Sequence, residues 1–174
     1  MVERQHTRAP GGACSSNPAR KMRPMSAPGE IYILPIASLD QIRESVASET
    51  FDSVLSTNAT TVIRYGWSGY VLATLLVYLE DQGINLMDSA YGDLGTLVSE
   101  AREVTSFVLT PEHRRFLDDL DPARYEPSTL QSFYEEFNQT SADGVGPALV
   151  DGIALFRDAL SRVDEQSVGL LIIG

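Results

Sequence analysis

Ser68 is the first residue of chemical interest, because residues 66–70 read Gly-Trp-Ser-Gly-Tyr between a predicted strand and a predicted helix. A nucleophile elbow presents its catalytic serine in this context, although Tyr70 stands where that motif carries glycine or another small residue. A serine hydrolase also needs a general base, and His113 is the only histidine outside the N-terminal segment. Two interpretations remain open: a small hydrolase that uses Ser68 with His113, or a helix cap at Ser68.

His113 lies in the sequence Glu-His-Arg-Arg at residues 112–115, which resembles part of a zinc-binding protease helix. The second histidine of that motif, one turn later, is missing, so the ligands are too few for zinc. Cys14 is the only cysteine of the chain and lies in the N-terminal segment. The sequence therefore predicts neither a metal site nor a cofactor, and we expect residues 112–115 to be exposed polar positions of a helix.

Carboxylates are concentrated in two short segments. They are Asp118, Asp119, Asp121 and Glu126 in the first and Glu135 and Glu136 in the second. The spacing is not that of an EF-hand, because Leu120 and Pro122 interrupt the alternation of ligands and no glycine follows. A solvated acidic face, a weak ion site and an acidic interaction surface all fit the pattern. As candidate binding residues we select Asp118, Asp119, Asp121, Glu135 and Glu136.

The charge of the chain is unevenly distributed. The net charge is -11, but residues 1–29 carry five basic residues and one acid, about +4. The remainder is about -15, with eight arginines, no lysine and 23 acids. A folded part with this much negative charge repels the phosphate backbone of nucleic acids, which argues against nucleic-acid binding by it. The same charge attracts a basic protein surface. Solubility is the simpler explanation of the same charge.

The pattern of apolar residues predicts one α+β domain over residues 30–174, behind a disordered basic tail of residues 1–29. Residues 31–36 and 168–173 read as strands, the latter at the centre of a sheet, and residues 60–65 are a further candidate. Helices are predicted from Leu39, over 67–82, from Thr110, from Ser128 and over 149–163. Few strands and many amphipathic helices indicate a small sheet packed by helices.

Two elements carry aromatic residues that we expect to be buried. Residues 67–82 are apolar almost all round, as in a central helix. In the helix from Ser128, Leu130, Phe133, Tyr134 and Phe137 follow the i, i+3, i+4, i+7 spacing of a core-facing side. Residues 84–97 read as a glycine-containing loop with a short helix near its end, and such loops often line sites.

No transmembrane segment is predicted. The longest apolar stretch, residues 67–79, is shorter than the roughly 20 residues that a membrane-spanning helix needs. The N-terminus also lacks the apolar core of a secretory signal, so we expect a cytoplasmic location.

The order of several segments resembles the small bacterial YfbM-like family. The resemblance rests on the run 109–137, with a helix that starts Thr-Pro-Glu, the segment Asp-Pro-Ala-Arg-Tyr-Glu-Pro at 121–127, and Phe133 followed by Tyr134. The helix at Trp67 and the last helix and strand, residues 156–173, fall in a similar order, although the histidine expected near the tryptophan is absent. The resemblance implies a single bacterial domain and supplies no catalytic residues.

Two functional hypotheses follow from different classes. The first is a non-catalytic binding protein, like an inhibitor or immunity protein, whose acidic face acts on a basic partner. The second is a small enzyme built around Ser68 with His113, or around the loop 88–95. Because no complete catalytic set is present in the sequence, we favour the binding protein.

Overall fold

Four antiparallel strands form one sheet in the computed structural model, which describes residues 28–174. The strands are β1 (Pro28–Pro35), β2 (Thr61–Ser68), β3 (Thr105–Leu109) and β4 (Ser167–Ile173). Their order across the sheet is β2-β1-β4-β3, so the C-terminal strand is central, as the sequence predicts. β1 pairs with β2 and β4, and β4 also pairs with β3.

The central position of β4 follows from its side chains, which are apolar on both faces. Val168 and Leu170 contact one hydrophobic cluster, whereas Leu171 contacts the cluster on the other side of the sheet. A strand buried on both faces reads as a continuous apolar run instead of an alternating one.

Helices cover both faces of the sheet. The α-helices are α1 (Leu39–Ser45), α2 (Phe51–Asn58), α3 (Gly69–Asp81), α4 (Gly92–Arg102), α5 (Pro127–Asn138) and α6 (Val145–Arg162). Three short 3-10 helices lie at Ile36–Ser38, Pro111–Phe116 and Pro122–Arg124. The buried residues of α3, α5 and α6 belong to one cluster and those of α1, α2 and α4 to the other. The protein is thus a single α+β fold of three layers.

The helix predicted over 149–163 is confirmed as α6. Leu149, Ile153, Phe156 and Leu160 are all fully buried. On the opposite side, Arg162 donates to Asp158 at 3.0 Å, one turn earlier. α6 is the longest helix in residues 28–174 and contacts α3, α5 and the sheet.

α5 lies against α6 at very close range. Gly146, in the first turn of α6, faces the backbone of Pro127, and a Cβ atom there would lie 2.1 Å from the Pro127 carbonyl oxygen. The Gly146 N–H donates to Oε1 of Gln131 at 2.8 Å. α5 therefore packs on the outer side of α6, and only part of its own surface is buried.

The structure corrects two predicted boundaries and adds one strand. Pro28 and Gly29, assigned to the tail, belong to β1, while the rest of the predicted tail lies outside the described residues. Trp67 and Ser68 end strand β2, so the central helix begins at Gly69. The strand β3 was not predicted at all. Among residues 28–174, every helix is too short or too polar to span a lipid bilayer.

Candidate binding site

Ser68 is a helix cap in this structure. It is the last residue of β2, and its Oγ accepts the N–H of Tyr70 at 3.2 Å at the start of α3. Serine is a preferred residue at this position because its oxygen satisfies an N–H that has no partner in the helix. Of the two interpretations of Ser68, the geometry supports the cap.

His113 is buried, which corrects the expectation of an exposed polar position. Its side chain is 2% exposed. Nδ1 accepts the Thr110 N–H at 2.9 Å, so the neutral ring carries its proton on Nε2, which donates to the Asp88 carbonyl at 2.9 Å. Burial lowers the pKa of His113 below its usual value of 6.5, because the charged ring is poorly solvated. Both ring nitrogens are engaged in holding the chain together.

The structure does not bring Ser68 and His113 together. Ser68 pairs with Pro28 at one end of the edge strand β2. His113 follows Leu109, the last residue of the other edge strand β3, which pairs with Gly169 at the opposite end of the sheet. Three strand spacings of about 4.8 Å already separate the two edges. The two residues lie at diagonally opposite corners, where no proton transfer between them can occur.

The loop 88–95 also serves the fold. Its Asp88 carbonyl accepts a hydrogen bond from Nε2–H of His113. The helix α4 begins within this loop, at Gly92, which is earlier than the sequence predicts. Asp93 accepts a hydrogen bond from Arg43, with 2.7 Å between Oδ2 and Nη1, and this hydrogen bond lowers the pKa of the Asp93 carboxyl. The loop therefore holds α1 and the 3-10 segment Pro111–Phe116 against α4.

The first group of predicted binding carboxylates is partly neutralised. Asp119 forms an ion pair with Arg124, with 3.0 Å between Oδ1 and Nη1, and Asp121 forms one with Arg157, with 3.1 Å between the same atoms. Asp118 is exposed and has no ion pair within residues 28–174. Only Asp118 of these three residues is thus fully available to a partner.

The second group lies near the end of α5. Glu135 accepts the amide of Gln131 at 2.7 Å and the hydroxyl of Ser141 at 3.1 Å, so it ties α5 to the loop that follows. Glu136 is exposed. Across residues 28–174, no group of three or more His, Cys, Asp or Glu side chains could hold a metal ion.

Most acids of this part of the chain have no arginine partner within it. Six of its eight arginines each pair with one carboxylate. Of the other two, Arg115 lies over the ring of Phe116, with 4.6 Å between its guanidinium carbon and the ring centroid. Because there are 23 acids in residues 30–174, the excess negative charge is left at the surface.

Aromatic side chains of α3, of α5 and of the residue after the 3-10 helix Pro122–Arg124 meet on the outer side of the helical layer. We call them the aromatic band, which consists of Tyr70, Tyr78, Tyr125, Phe133 and Phe137. The ring centroids of Tyr78 and Phe133 are 5.0 Å apart, those of Tyr78 and Tyr125 6.3 Å, and those of Phe133 and Phe137 5.7 Å in a stacked pair. The Tyr70 hydroxyl bonds to Asn138, the residue after Phe137.

Two residues of this band correct the expectation that these aromatic side chains are core. Leu130 and Tyr134 of α5 are buried as predicted, but Phe137 is 52% exposed and Tyr70 is 57% exposed. The helix α3 buries its leucines against the sheet and α6, so Tyr70 is left on its outer side. Just before α3, Trp67 is 43% exposed and donates its Nε1–H to Asp151 at 2.9 Å.

A cleft of about 410 Å³ lies at one end of the aromatic band. It is formed by the end of α3, the turn after it, the 3-10 helix Pro122–Arg124 and the start of α5. Its lining includes Tyr78, Gln82, Asp119, Arg124, Tyr125, Glu126 and Thr129. Its volume falls within the range of about 300–1,000 Å³ common for ligand sites.

Of the cleft residues, the sequence drew attention only to Asp119 and Glu126. Tyr78 and Tyr125 lie 47 positions apart in the chain and meet only in the fold. A signal was present in α3, where Tyr70 and Tyr78 are separated by two i, i+4 steps and so share one side of the helix. Tyrosine has a polar hydroxyl, and a row of tyrosines is typical of a side that is not fully buried.

Comparison of the chain with protein-family models, with curated proteins and with solved structures gives no match. The resemblance to the YfbM-like family therefore stays a prediction.

Proposed function

We propose that the protein is a non-catalytic binding protein that acts on a basic partner protein, in the manner of an inhibitor or immunity protein. Its binding surface is the aromatic band together with the carboxylates beside it, chiefly Glu126 and Glu136. The observation that carries the proposal is the exposure of Tyr70 and Phe137 on neighbouring helices.

Two of the five residues of the band, Tyr70 and Phe137, are exposed, and the other three are half-buried beside them. Tyrosine and other aromatic residues are enriched in interfaces and supply much of their binding energy when a partner buries them. Here the rings of Tyr78, Phe133 and Phe137 already contact one another, so little side-chain freedom remains to be lost on binding.

The negative charge beside the band favours a positively charged partner. Glu126 lies directly before α5 and Glu136 lies near the end of that helix, and both are exposed and without an ion pair in residues 28–174. Arginine suits such a surface because its guanidinium stacks on aromatic rings and pairs with carboxylates. A basic partner segment with apolar residues matches both properties of the band.

Binding of a labelled peptide tests the proposal. The probe is a short amphipathic peptide of arginine and leucine, and the control peptide carries glutamate in place of arginine. Fluorescence anisotropy should show binding of the arginine peptide only. Association should weaken steeply as salt rises past about 0.15 M, where the Debye length is about 8 Å.

Matched variants locate the binding surface. Phe137→Ala and Glu136→Gln should each lower the affinity for the arginine peptide roughly 3- to 10-fold. Glu100→Gln removes the same charge from α4, on the other side of the sheet, and should have little effect. Ser68→Ala should also leave affinity unchanged. Equal affinity of all variants, or catalytic turnover lost in both Ser68→Ala and His113→Ala, would overturn the proposal.

A further inference from the structure

We infer that the cleft at the end of the aromatic band binds an arginine side chain of the basic partner. This inference rests on the proposed function and adds to it a specificity pocket that prefers arginine to lysine. It is carried by the rings, the carboxylates and the helix end that meet in the cleft.

The walls of the cleft offer aromatic rings to a planar cation. Tyr78 and Tyr125 both line it, and their rings meet edge to face at 67°. A guanidinium beside such rings is attracted by the negative charge on their faces, and it stacks better than a compact ammonium does. The preference for arginine follows from this difference in shape.

Negative charge is supplied from two directions. The carboxylates of Asp119 and Glu126 line the cleft. The turn that ends α3 lines the cleft with Gln82 and Gly83, and the partial negative charge of a helix C-terminus favours a nearby cation. A guanidinium that enters the cleft can donate to a carboxylate in a bidentate geometry.

Arg124 shows that the cleft already accommodates one guanidinium. Its Nη1 donates to the Asp119 carboxylate at 3.0 Å and to the Asp118 carbonyl at 2.9 Å. Both partners of the Asp119–Arg124 ion pair are at least half exposed, and such surface pairs are weak. An arginine of the partner can therefore compete with Arg124 for Asp119 at low cost.

The cleft could instead bind an anion through Arg124, and the two alternatives predict opposite effects of removing Arg124 on ligand affinity. This difference makes Arg124→Gln the decisive variant. If the cleft binds a cation, Arg124→Gln frees Asp119 and should raise affinity for the arginine peptide about 3- to 10-fold. Arg115→Gln removes the same charge outside the cleft and should change affinity less than twofold. Circular dichroism melting of each variant checks that the fold is retained.

The test compares arginine and lysine peptides on the full chain and its variants. The wild-type protein should bind the arginine peptide several-fold tighter than the lysine peptide, and Glu126→Gln and Tyr78→Leu should abolish this preference. Loss of affinity in Arg124→Gln, with competition by inorganic phosphate, would overturn the inference in favour of an anion site.

The inference and the proposed function fail in different ways. In one outcome the peptides bind and Phe137→Ala lowers their affinity, but the cleft variants leave the preference for arginine unchanged. The cleft is then not a specificity pocket, although the proposed binding surface is retained. If neither peptide binds the wild-type protein, the proposed function fails as well.

Discussion

A histidine with both ring nitrogens hydrogen-bonded inside the protein has a structural role here. The ring of His113 replaces water as the partner of the Thr110 N–H and the Asp88 carbonyl, and Thr110 is itself only 2% exposed. A buried backbone group that loses its partner is destabilising, because it is no longer solvated. His113 thereby connects the end of β3 to the loop before α4.

Replacement of His113 by alanine should lower the free energy of unfolding by about 1–3 kcal/mol, because two polar backbone groups lose their partner. The effect should depend on pH. Burial depresses the pKa of His113 in the folded state, so the unfolded state binds more protons below about pH 6.5. The wild-type protein therefore loses this contribution as pH falls through 6.5 toward the lower folded pKa.

Chemical denaturation of both proteins at about pH 7.5 and pH 5.5 measures this change. The difference in stability between wild type and His113→Ala should be smaller at the lower pH. A difference that grows on acidification would show that the charged ring is stabilised in the folded protein.

At the level of elements, the contact between α5 and α6 depends on the absence of a side chain at Gly146. A methyl group there would collide with the Pro127 carbonyl, which is backbone and cannot rotate away. The two helices would have to separate, and overpacking of this kind costs about 1–3 kcal/mol. We expect Gly146→Ala to lower the melting temperature and to weaken peptide binding, because α5 carries Phe133 and Phe137 of the aromatic band.

Gly92→Ala is the matched control for Gly146→Ala. Gly92 opens α4 on the other side of the sheet, and a Cβ atom there would meet no atom within 4 Å. Its melting temperature should stay at or above that of the wild type, since alanine is the better helix residue. Equal melting temperatures for the wild type, Gly146→Ala and Gly92→Ala would contradict the close packing of α5 on α6.

The elements that the sequence predicts well are those with a strong local pattern. α6 and β4 carry uninterrupted apolar spacing, and both are found where predicted. β3 has only five residues, and its partners in β4 lie sixty or more positions further along the chain. Thr105, Phe107 and Val108 are residue types that favour strands, so a local signal is present, but a run this short does not show which strand it pairs with.

At the level of the whole molecule, the candidate site could be predicted only in part. The excess of carboxylates is visible in the sequence, including Asp119 and Glu126. The ion pairs that neutralise Asp119 and Asp121 depend on where the fold places Arg124 and Arg157. The exposure of Phe137 depends on how α5 is turned against α6, which the i, i+3, i+4 spacing does not determine.

We propose that one face of the molecule, formed by α3 and α5, binds a basic partner. Nuclear magnetic resonance of the isotope-labelled protein, titrated with the amphipathic arginine peptide, tests it most directly. We expect the shifted amide signals to come from residues of α3 and α5 and from the cleft around Tyr125, while those of α1, α2 and α4 stay in place. Shifts centred on α1, α2 and α4, or no shifts at any peptide concentration, would contradict it.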